Sequence, residues 1–155
     1  MSKTEKDIEF MELALEQASL AAKLGEIPIG AIIVKDGDVV SVAHNERETG
    51  KKATAHAELL AIERACEKVG SWRLQGCTLY VTLEPCIMCA GAIINSRISR
   101  VVCGLKDAKA GAMGSVLDVN SYPLNHKCDI EYGVMEKECR EVIQSFFEEL
   151  RVSQN

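Results

Sequence analysis

The sequence predicts an α/β fold in which helices cover both faces of a mixed β-sheet. Apolar segments of strand length alternate with amphipathic segments of helix length along the middle of the chain. Asp36-Gly37 joins the first two strand segments as an antiparallel hairpin, whereas helices link the later strands, which makes them parallel. A length of 155 residues suits one hydrophobic core, so we expect a single domain over residues 1–155.

Each element in the first half of the chain follows from its own pattern. Apolar residues three and four positions apart from Ile8 to Ala22 predict a helix that ends near Gly25. The segments "IGAIIV" and "VVSVAH" predict the two strands of the hairpin. Thr54 is placed to cap a second helix, and Gly70 is placed to end it.

The second half continues the same alternation. "TLYVTL" predicts a third strand, and Pro85 suits the first turn of a third helix, "PCIMCAGAIINS". "ISRVVCG" predicts a fourth strand and "IEYGV" a fifth. The last helix is expected to run from Glu136 to Arg151. Its apolar face, which we expect to be buried, consists of Val142, Ile143, Phe146, Phe147 and Leu150.

Composition points to a cytoplasmic protein with no membrane partner. No apolar run approaches the roughly 20 residues of a membrane span, and the segment "MSKTEKDIEFMELALEQ" lacks the apolar core of a signal peptide. The chain has seven cysteines, an odd number, which favours reduced thiols over a disulfide framework. Any close pair of cysteines is therefore a candidate for metal binding or catalysis.

Two predicted helix starts carry residues that suit metal chemistry. "PCIMC" places Cys86 and Cys89 three positions apart, so that both can reach one ion, and a helix N-terminus favours the thiolate form that binds metals. "HAE" places His56 and Glu58 at the start of the preceding helix. One nitrogen and two sulfur ligands suit zinc. The predicted ligands are His56, Cys86 and Cys89, with Glu58 as a candidate proton carrier.

Other interpretations of these residues are open at this point. A thioredoxin-like redox pair needs no metal, but it leaves His56 and Glu58 without a role. A structural zinc site needs four protein ligands, and His44 or His126 could supply the fourth. Glu58 taken alone fits a solvent-facing carboxylate beside a helix dipole. Three ligands, an open fourth position and a nearby carboxylate together favour a catalytic site.

The order His-x-Glu followed by Pro-Cys-x-x-Cys matches the known signature of zinc-dependent nucleobase deaminases. The stretches "TAHAELLAIERA", "LYVTLEPCIMCAGAI" and "GLKDAKAGAMGS" resemble bacterial tRNA-specific adenosine deaminases, from about Glu9 to Phe147. The signature alone is typical of the whole superfamily, whereas "AKAGAMGS" and "CAGAI" are specific to these deaminases. "FFEELR" departs from the resemblance, because relatives often carry basic residues there.

The resemblance implies a three-layer deaminase fold with a five-stranded mixed sheet, one Zn²⁺ per chain and a homodimer. It implies hydrolysis of the wobble adenosine in a tRNA anticodon loop to inosine, with release of ammonia. It assigns zinc binding to His56, Cys86 and Cys89, and proton transfer to Glu58.

The resemblance also places several residues near the substrate. Asn45 falls where the family contacts the target nucleoside, and Lys106 and Asp107 fall in a loop that approaches the RNA. We expect Pro28, within "EIPIGA", and Ala57 to border the target base. Residues that surround an extruded base in this way are typical of enzymes that modify nucleobases.

An acidic protein that binds RNA needs a local basic surface, because the net charge here is −5. Residues 97–110 carry a local balance of +3, and Lys106 and Lys109 lie in the loop that the resemblance places near the RNA. Lys51 and Lys52 lie shortly before the predicted zinc histidine. We expect this set of basic residues to contact RNA phosphates.

The helix after the cysteines also carries surplus apolar surface, which we assign to a dimer interface through Ala92, Ile93 and Arg97. Three rival functions remain: a deaminase of free cytosine-type or guanine-type compounds, a zinc-stabilised RNA-binding module without activity, and a thiol-disulfide oxidoreductase.

Overall fold

The computed structural model describes residues 3–154, in which strands and helices alternate as the sequence predicts. The α-helices are Lys3–Lys23 (α1), Ala57–Val69 (α2), Ile87–Asn95 (α3) and Glu136–Gln154 (α4). The strands are Gly30–Lys35 (β1), Asp38–His44 (β2), Cys77–Leu83 (β3), Arg100–Leu105 (β4) and Asp129–Tyr132 (β5). None of the helices in this part of the chain has the length and apolar content to cross a membrane.

The five strands form one mixed sheet in the order β2-β1-β3-β4-β5. β1 is antiparallel to β2 and β3, whereas β3, β4 and β5 are parallel. Asp36 and Gly37 have φ values of 51° and 82°, as a two-residue hairpin turn requires. The parallel strands β3 and β4 end side by side at Leu83 and Leu105. The segments that follow them therefore leave from the same edge of the sheet, which is where open α/β sheets place their sites.

Helices cover both faces of the sheet, and this confirms the predicted fold class. α2 and α3 contribute Ala61 and Ile93 to the core on one face, whereas α1 and α4 contribute Met11 and Cys139 to the core on the other. Neighbouring residues of β1 alternate between these two cores, because successive side chains of a strand point to opposite faces.

The buried face of α1 differs from the one predicted, because a charged residue occupies part of it. Ile8 is 39% exposed, whereas Met11 and Asp7 are buried. The carboxylate of Asp7 accepts a hydrogen bond from Tyr80 Oη at 2.7 Å. It also accepts two from Arg100, at 2.9 and 2.6 Å. Burial of a carboxylate is tolerated when it is paired in this way, and hydrophobic periodicity does not reveal such pairing.

Two helices begin later than predicted. Thr54 does not cap α2, because its carbonyl accepts the amide of His56 at 2.8 Å and turns the chain before the helix starts. His56 is the N-cap instead. In the same way Cys86 is the N-cap of α3, so that Pro85 precedes the helix. Gly70 ends α2 in the left-handed conformation, with φ 74°, as the sequence predicts.

The predicted burial of the last helix is wrong in its final turns. The beginning of α4 reaches the core through Cys139, but Phe147 and Leu150 are 39% and 41% exposed. The end of the helix lies beside a surface groove rather than over the sheet.

Candidate metal centre and substrate cavity

The starts of α2 and α3 bring the three predicted ligands together. His56, Cys86 and Cys89 offer ligand atoms that all lie within 4.8 Å of one another. Nδ1 of His56 is 3.6 Å from the Sγ atom of each cysteine. Within residues 3–154, no second group of three histidine, cysteine or acidic side chains is gathered in this way.

The helix starts direct these side chains to the site rather than to the helices themselves. His56 and Cys86 are N-cap residues, and neither forms the side-chain bond to its own helix that is common at this position. Cys89 lies in the first turn of α3 and is fully buried. The free N–H groups at both helix starts favour negative charge, and hence thiolates.

The two histidines considered as a fourth ligand lie elsewhere. Nε2 of His126 is 2.6 Å from the carbonyl oxygen of Ile98, and Nδ1 of His44 is 3.0 Å from that of Asn45. The described residues therefore supply three ligands, as in a catalytic site, rather than the four of a closed structural site.

The three donor groups alter one another's proton affinity. The pKa of Cys86 is lowered to about 3, first because Cys89 hydrogen-bonds to its sulfur and then, against the effect of burial, because of His56. The pKa of Cys89 is raised far above its usual range by that bond and by burial. The pKa of His56 is raised, chiefly by its bond to Cys86. Groups that compete for protons at this distance can bind one cation together once those protons are displaced.

Glu58 is the ionisable group beside this cluster. It is only 4% exposed, so the interpretation of a solvent-facing carboxylate is wrong. Burial raises its pKa to about 7, although hydrogen bonds from its own backbone and from Cys89 oppose the shift. A carboxyl group that titrates near neutrality can both accept and donate a proton.

A cavity of about 70 Å³ opens beside His56. Its lining residues are Ile27, Ile29, Asn45, Arg47, His56 and Ala57. The structure therefore places Asn45 and Ala57 next to the cluster. Pro28 is buried and is not among the lining residues. Its neighbours Ile27 and Ile29 supply the apolar surface instead.

The amide of Asn45 is held in a fixed orientation at this cavity. Its Nδ2 donates to the carbonyl of Ile27 at 3.4 Å, and its Oδ1 accepts the backbone N–H of Arg47 at 3.2 Å. Asn45 is itself nearly fully buried. The donor and acceptor of this side chain are thus set by the protein before any ligand enters.

Comparison with known proteins places this site in a family. A family model described as MafB19-like deaminase matches residues 5–151. The tRNA-specific adenosine deaminase of Bacillus subtilis is 46% identical over 143 residues, covering 92% of this chain and 89% of that protein. The chain belongs to the tRNA-specific adenosine deaminase family. The Aquifex aeolicus member is 48% identical over 143 residues, covering 92% of this chain and 94% of its own length.

A solved structure supports the same assignment for the fold. It comes from work on A-to-I editing by tRNA:A34 deaminases at the wobble position of transfer RNA. It matches the chain with a TM-score of 0.84 and 45% identity, covering 86% of this chain and 98% of that one. The resemblance drawn from the sequence motifs and the predicted deaminase fold are both confirmed.

A groove of about 470 Å³ continues from the cavity of this family member, since Ile27, Asn45 and Arg47 line both. The end of α4 forms its other side, where the rings of Phe146 and Phe147 lie 5.4 Å apart at their centroids. The exposed apolar end of α4 therefore lines this groove. Aromatic rings at such a position suit the stacking of unpaired bases.

The residues that follow β4, 106–115, form a loop that we call the β4 loop. It lies against the start of α3, because the amide of Ala112 donates to the carbonyl of Pro85 at 2.9 Å. The loop therefore stands directly beside the proposed ligand Cys86. It contains Lys106, Asp107 and Lys109, for which the sequence predicts RNA contacts.

The side chains of those three residues differ in their surroundings. Nζ of Lys106 lies 5.0 Å from the centroid of the Tyr132 ring, and Lys109 is exposed. Oδ1 of Asp107 accepts the amides of Lys109 and Ala110, at 3.0 and 3.2 Å. The carboxylate of Asp107 thus shapes the loop from within.

The basic segment 97–110 does not form one surface. Arg100 is held by Asp7 at the opposite end of β4, and the guanidinium of Arg97 lies 5.7 Å from the Trp72 ring centroid. Sequence proximity misled this prediction, because the ends of a six-residue strand are about 17 Å apart.

Two residues near the site do not emerge from the sequence patterns. Arg47 lines both the cavity and the groove. By contrast, Lys51 and Lys52, for which the sequence predicts RNA contacts, are exposed and line neither the cavity nor the groove. Arg47 could have been identified from the sequence by its position two residues after Asn45. Glu84 is buried. Its position directly after an apolar strand is the sequence feature that could have identified it.

Proposed function

We propose that the chain is a zinc-dependent hydrolase that converts the wobble adenosine of a tRNA anticodon loop to inosine and releases ammonia. The observation that carries the proposal is the meeting of three metal-binding side chains and one buried carboxyl group, Glu58, beside a cavity. Membership of the tRNA-specific adenosine deaminase family supports the choice of substrate.

The donor set fits one Zn²⁺ per chain, bound by His56, Cys86 and Cys89. Zn²⁺ in such a site lowers the pKa of a water molecule from about 15.7 to about 7. The difference corresponds to roughly 12 kcal/mol. Glu58 titrates near 7 and cannot bridge that gap alone, which is why the reaction needs both the metal and the carboxylate.

Glu58 moves the protons of the reaction. Its carboxylate accepts a proton from the attacking water and delivers it to the adenine ring nitrogen beside C6. A C6–O bond forms in this first step. The remaining proton of the added hydroxyl group then passes through Glu58 to the amino group, the C6–N bond breaks, and ammonia leaves as the added oxygen becomes the carbonyl oxygen of inosine. No oxidant or reductant is required.

The cavity beside His56 binds the target base. We assign its apolar walls to Ile27 and Ile29, and a hydrogen bond to the nucleoside to Asn45, whose amide is already oriented. Ala57 lies at the start of α2, where its small side chain lets the base approach the cluster. Pro28 supports its two neighbours from within the core.

The groove and the β4 loop contact the rest of the anticodon loop. Bases of a loop can be turned out at lower cost than bases of a duplex, and Phe146 and Phe147 offer stacking surfaces beside the cavity. We assign phosphate contacts to Lys106 and Lys109. Asp107 is assigned a hydrogen bond to a ribose hydroxyl, which would favour RNA over DNA.

We also propose that residues 1–155 act as one domain, in the cytoplasm and as a homodimer. Seven cysteines that are all free fit a reducing compartment. The predicted interface needs one correction, since Ile93 is fully buried within the chain and cannot contact a partner. Ala92 and Arg97 are partly exposed, and Ile87, on the same helix, is 63% exposed. Light scattering at micromolar concentration tests the dimer, and a monomer would contradict it.

The decisive experiment offers the purified protein an anticodon stem-loop with a wobble adenosine and measures inosine by mass spectrometry and free ammonia. Free adenosine, cytidine and guanine, each at the same concentration, are the controls. We expect turnover of the stem-loop alone. Turnover of guanine or cytidine without the stem-loop would identify a small-molecule deaminase instead. RNA binding without any turnover would identify a zinc-stabilised binding module.

A further inference from the structure

The carboxylate of Glu84 lies at the centre of the β4 loop. Glu84 follows β3, is buried, and stands two residues before the N-cap Cys86. Its Oε1 accepts the amide of Asp107 at 3.0 Å, and its Oε2 accepts the amides of Met113 and Ser115, both at 3.1 Å. The hydroxyl of Ser115 donates a further hydrogen bond to Oε1.

The loop is built around this one carboxylate. Asp107 stands near the start of the loop and Ser115 at its end, so both are tied to the same side chain. Gly111 packs against it so closely that a side-chain carbon at this position would overlap the carboxyl carbon of Glu84. A buried charged acceptor with several N–H donors holds a loop more firmly than neutral contacts do.

We propose that Glu84 is a positioning residue for RNA binding: its carboxylate fixes the β4 loop against the start of α3, and so sets where Lys106 and Lys109 stand relative to the metal cluster. The inference rests on the proposed function, because it takes the loop to be an RNA contact. A short stretch of backbone, from Glu84 to Cys86, connects this loop anchor to the proposed metal ligands.

The substitution Glu84→Gln tests the inference with little change in volume. It replaces one acceptor oxygen by an NH₂ group, so at least one amide of the loop loses its acceptor and faces a donor. We expect the KM for the stem-loop to rise about tenfold, with kcat within about twofold and zinc content unchanged. Amide hydrogen exchange over residues 107–115 is expected to become faster.

Two further variants keep the test decisive. Ser115→Ala removes one donor and leaves the carboxylate, so it is expected to change the KM in the same direction by a smaller factor, even if Glu84→Gln does not fold. Asp7→Asn is the matched control, a buried carboxylate at the opposite edge of the sheet. It is expected to destabilise the fold and to leave the KM unchanged.

Three results would overturn the inference. They are an unchanged KM in both Glu84→Gln and Ser115→Ala, unchanged hydrogen exchange in the β4 loop, and a fall in kcat together with zinc, which would make Glu84 a support of the metal site. If the wild-type protein forms no inosine, the proposed function fails by itself. Stem-loop affinity and hydrogen exchange then still decide whether Glu84 holds an RNA-binding loop.

Discussion

The carboxyl groups of Asp7 and Glu58 are both buried, near opposite ends of the strands of the sheet, and their surroundings differ. Asp7 is surrounded by Tyr80 and Arg100, which together donate three hydrogen bonds to it. Glu58 stands beside thiols and an imidazole, and burial raises its pKa to about 7. Arg100 keeps Asp7 paired as an ion, whereas Glu58 can change its protonation state.

The difference shows how one fold separates stability from chemistry. A buried carboxylate whose oxygens are bonded to a guanidinium and a phenol is engaged in structural contacts. A buried carboxyl group that no guanidinium or ammonium group holds remains able to carry protons. Burial alone therefore does not distinguish the two roles, and the partners of each group do.

The largest expected effect comes from removing the metal-binding residues at one end of the strands. His56→Ala and Cys86→Ala should each lose bound zinc and essentially all turnover, because no other described side chain joins the cluster. Metal analysis of the purified variants and inosine formation are the measurements. Full turnover by protein stripped of all metal would show that the cluster is not catalytic.

Glu58→Gln separates the proton carrier from the ligands. We expect zinc content and thermal stability near those of the wild type, with a loss of turnover of about 10² to 10⁴. Loss of zinc in this variant would make Glu58 a ligand, contrary to our assignment.

Asp7→Asn applies the same kind of change at the other end of the strands. Arg100 then keeps its ion pair with Glu131, at 2.9 Å, but loses the charge of Asp7. The loss of these charged hydrogen bonds is expected to lower the free energy of unfolding by about 2 kcal/mol, measured by urea denaturation. The kcat and KM of the remaining folded protein should not change. A large loss of kcat would mean that the two ends are coupled.

The smallest expected effect concerns the β4 loop. Changing Lys106 and Lys109 together to Gln should weaken stem-loop binding and reduce the salt slope by up to about 0.7 for each phosphate that the variant no longer neutralises. The comparison pair changes Lys51 and Lys52 to Gln, which are also exposed but lie between β2 and α2 rather than in the β4 loop. An equal effect of this pair would mean that the β4 loop is not the preferred RNA surface.

Local patterns in the sequence were enough to predict the strands, the hairpin turn and the three clustered residues. The residues of the His-x-Glu and Cys-x-x-Cys motifs lie within one helical turn of each other, so local helix geometry is enough to bring their side chains close together. The contacts that the sequence did not reveal are long-range ones. Glu84 binds amides more than 20 residues away, and Arg100 binds Asp7 from 93 residues away.

The predicted starts of α2 and α3 were wrong for a related reason. Thr54 and Pro85 fit common rules for helix starts, but the backbone places His56 and Cys86 at those positions. Their side chains gather at the cluster instead of capping the helices, as functional sites often depart from local preference. The exposure of Phe147 likewise reflects a groove at the site, which an apolar helix pattern cannot distinguish from a core.

The central claim is hydrolysis of a wobble adenosine at the cluster, and the most direct test is to run the reaction in ¹⁸O-labelled water. The stem-loop, wild-type protein and bound zinc are incubated together, and the inosine is analysed by mass spectrometry. We predict one ¹⁸O atom in each inosine formed and one ammonia released for each, with product formation by Glu58→Gln at least about 100-fold slower at equal zinc content. Inosine without the label, or equal turnover by the variant, would contradict the account.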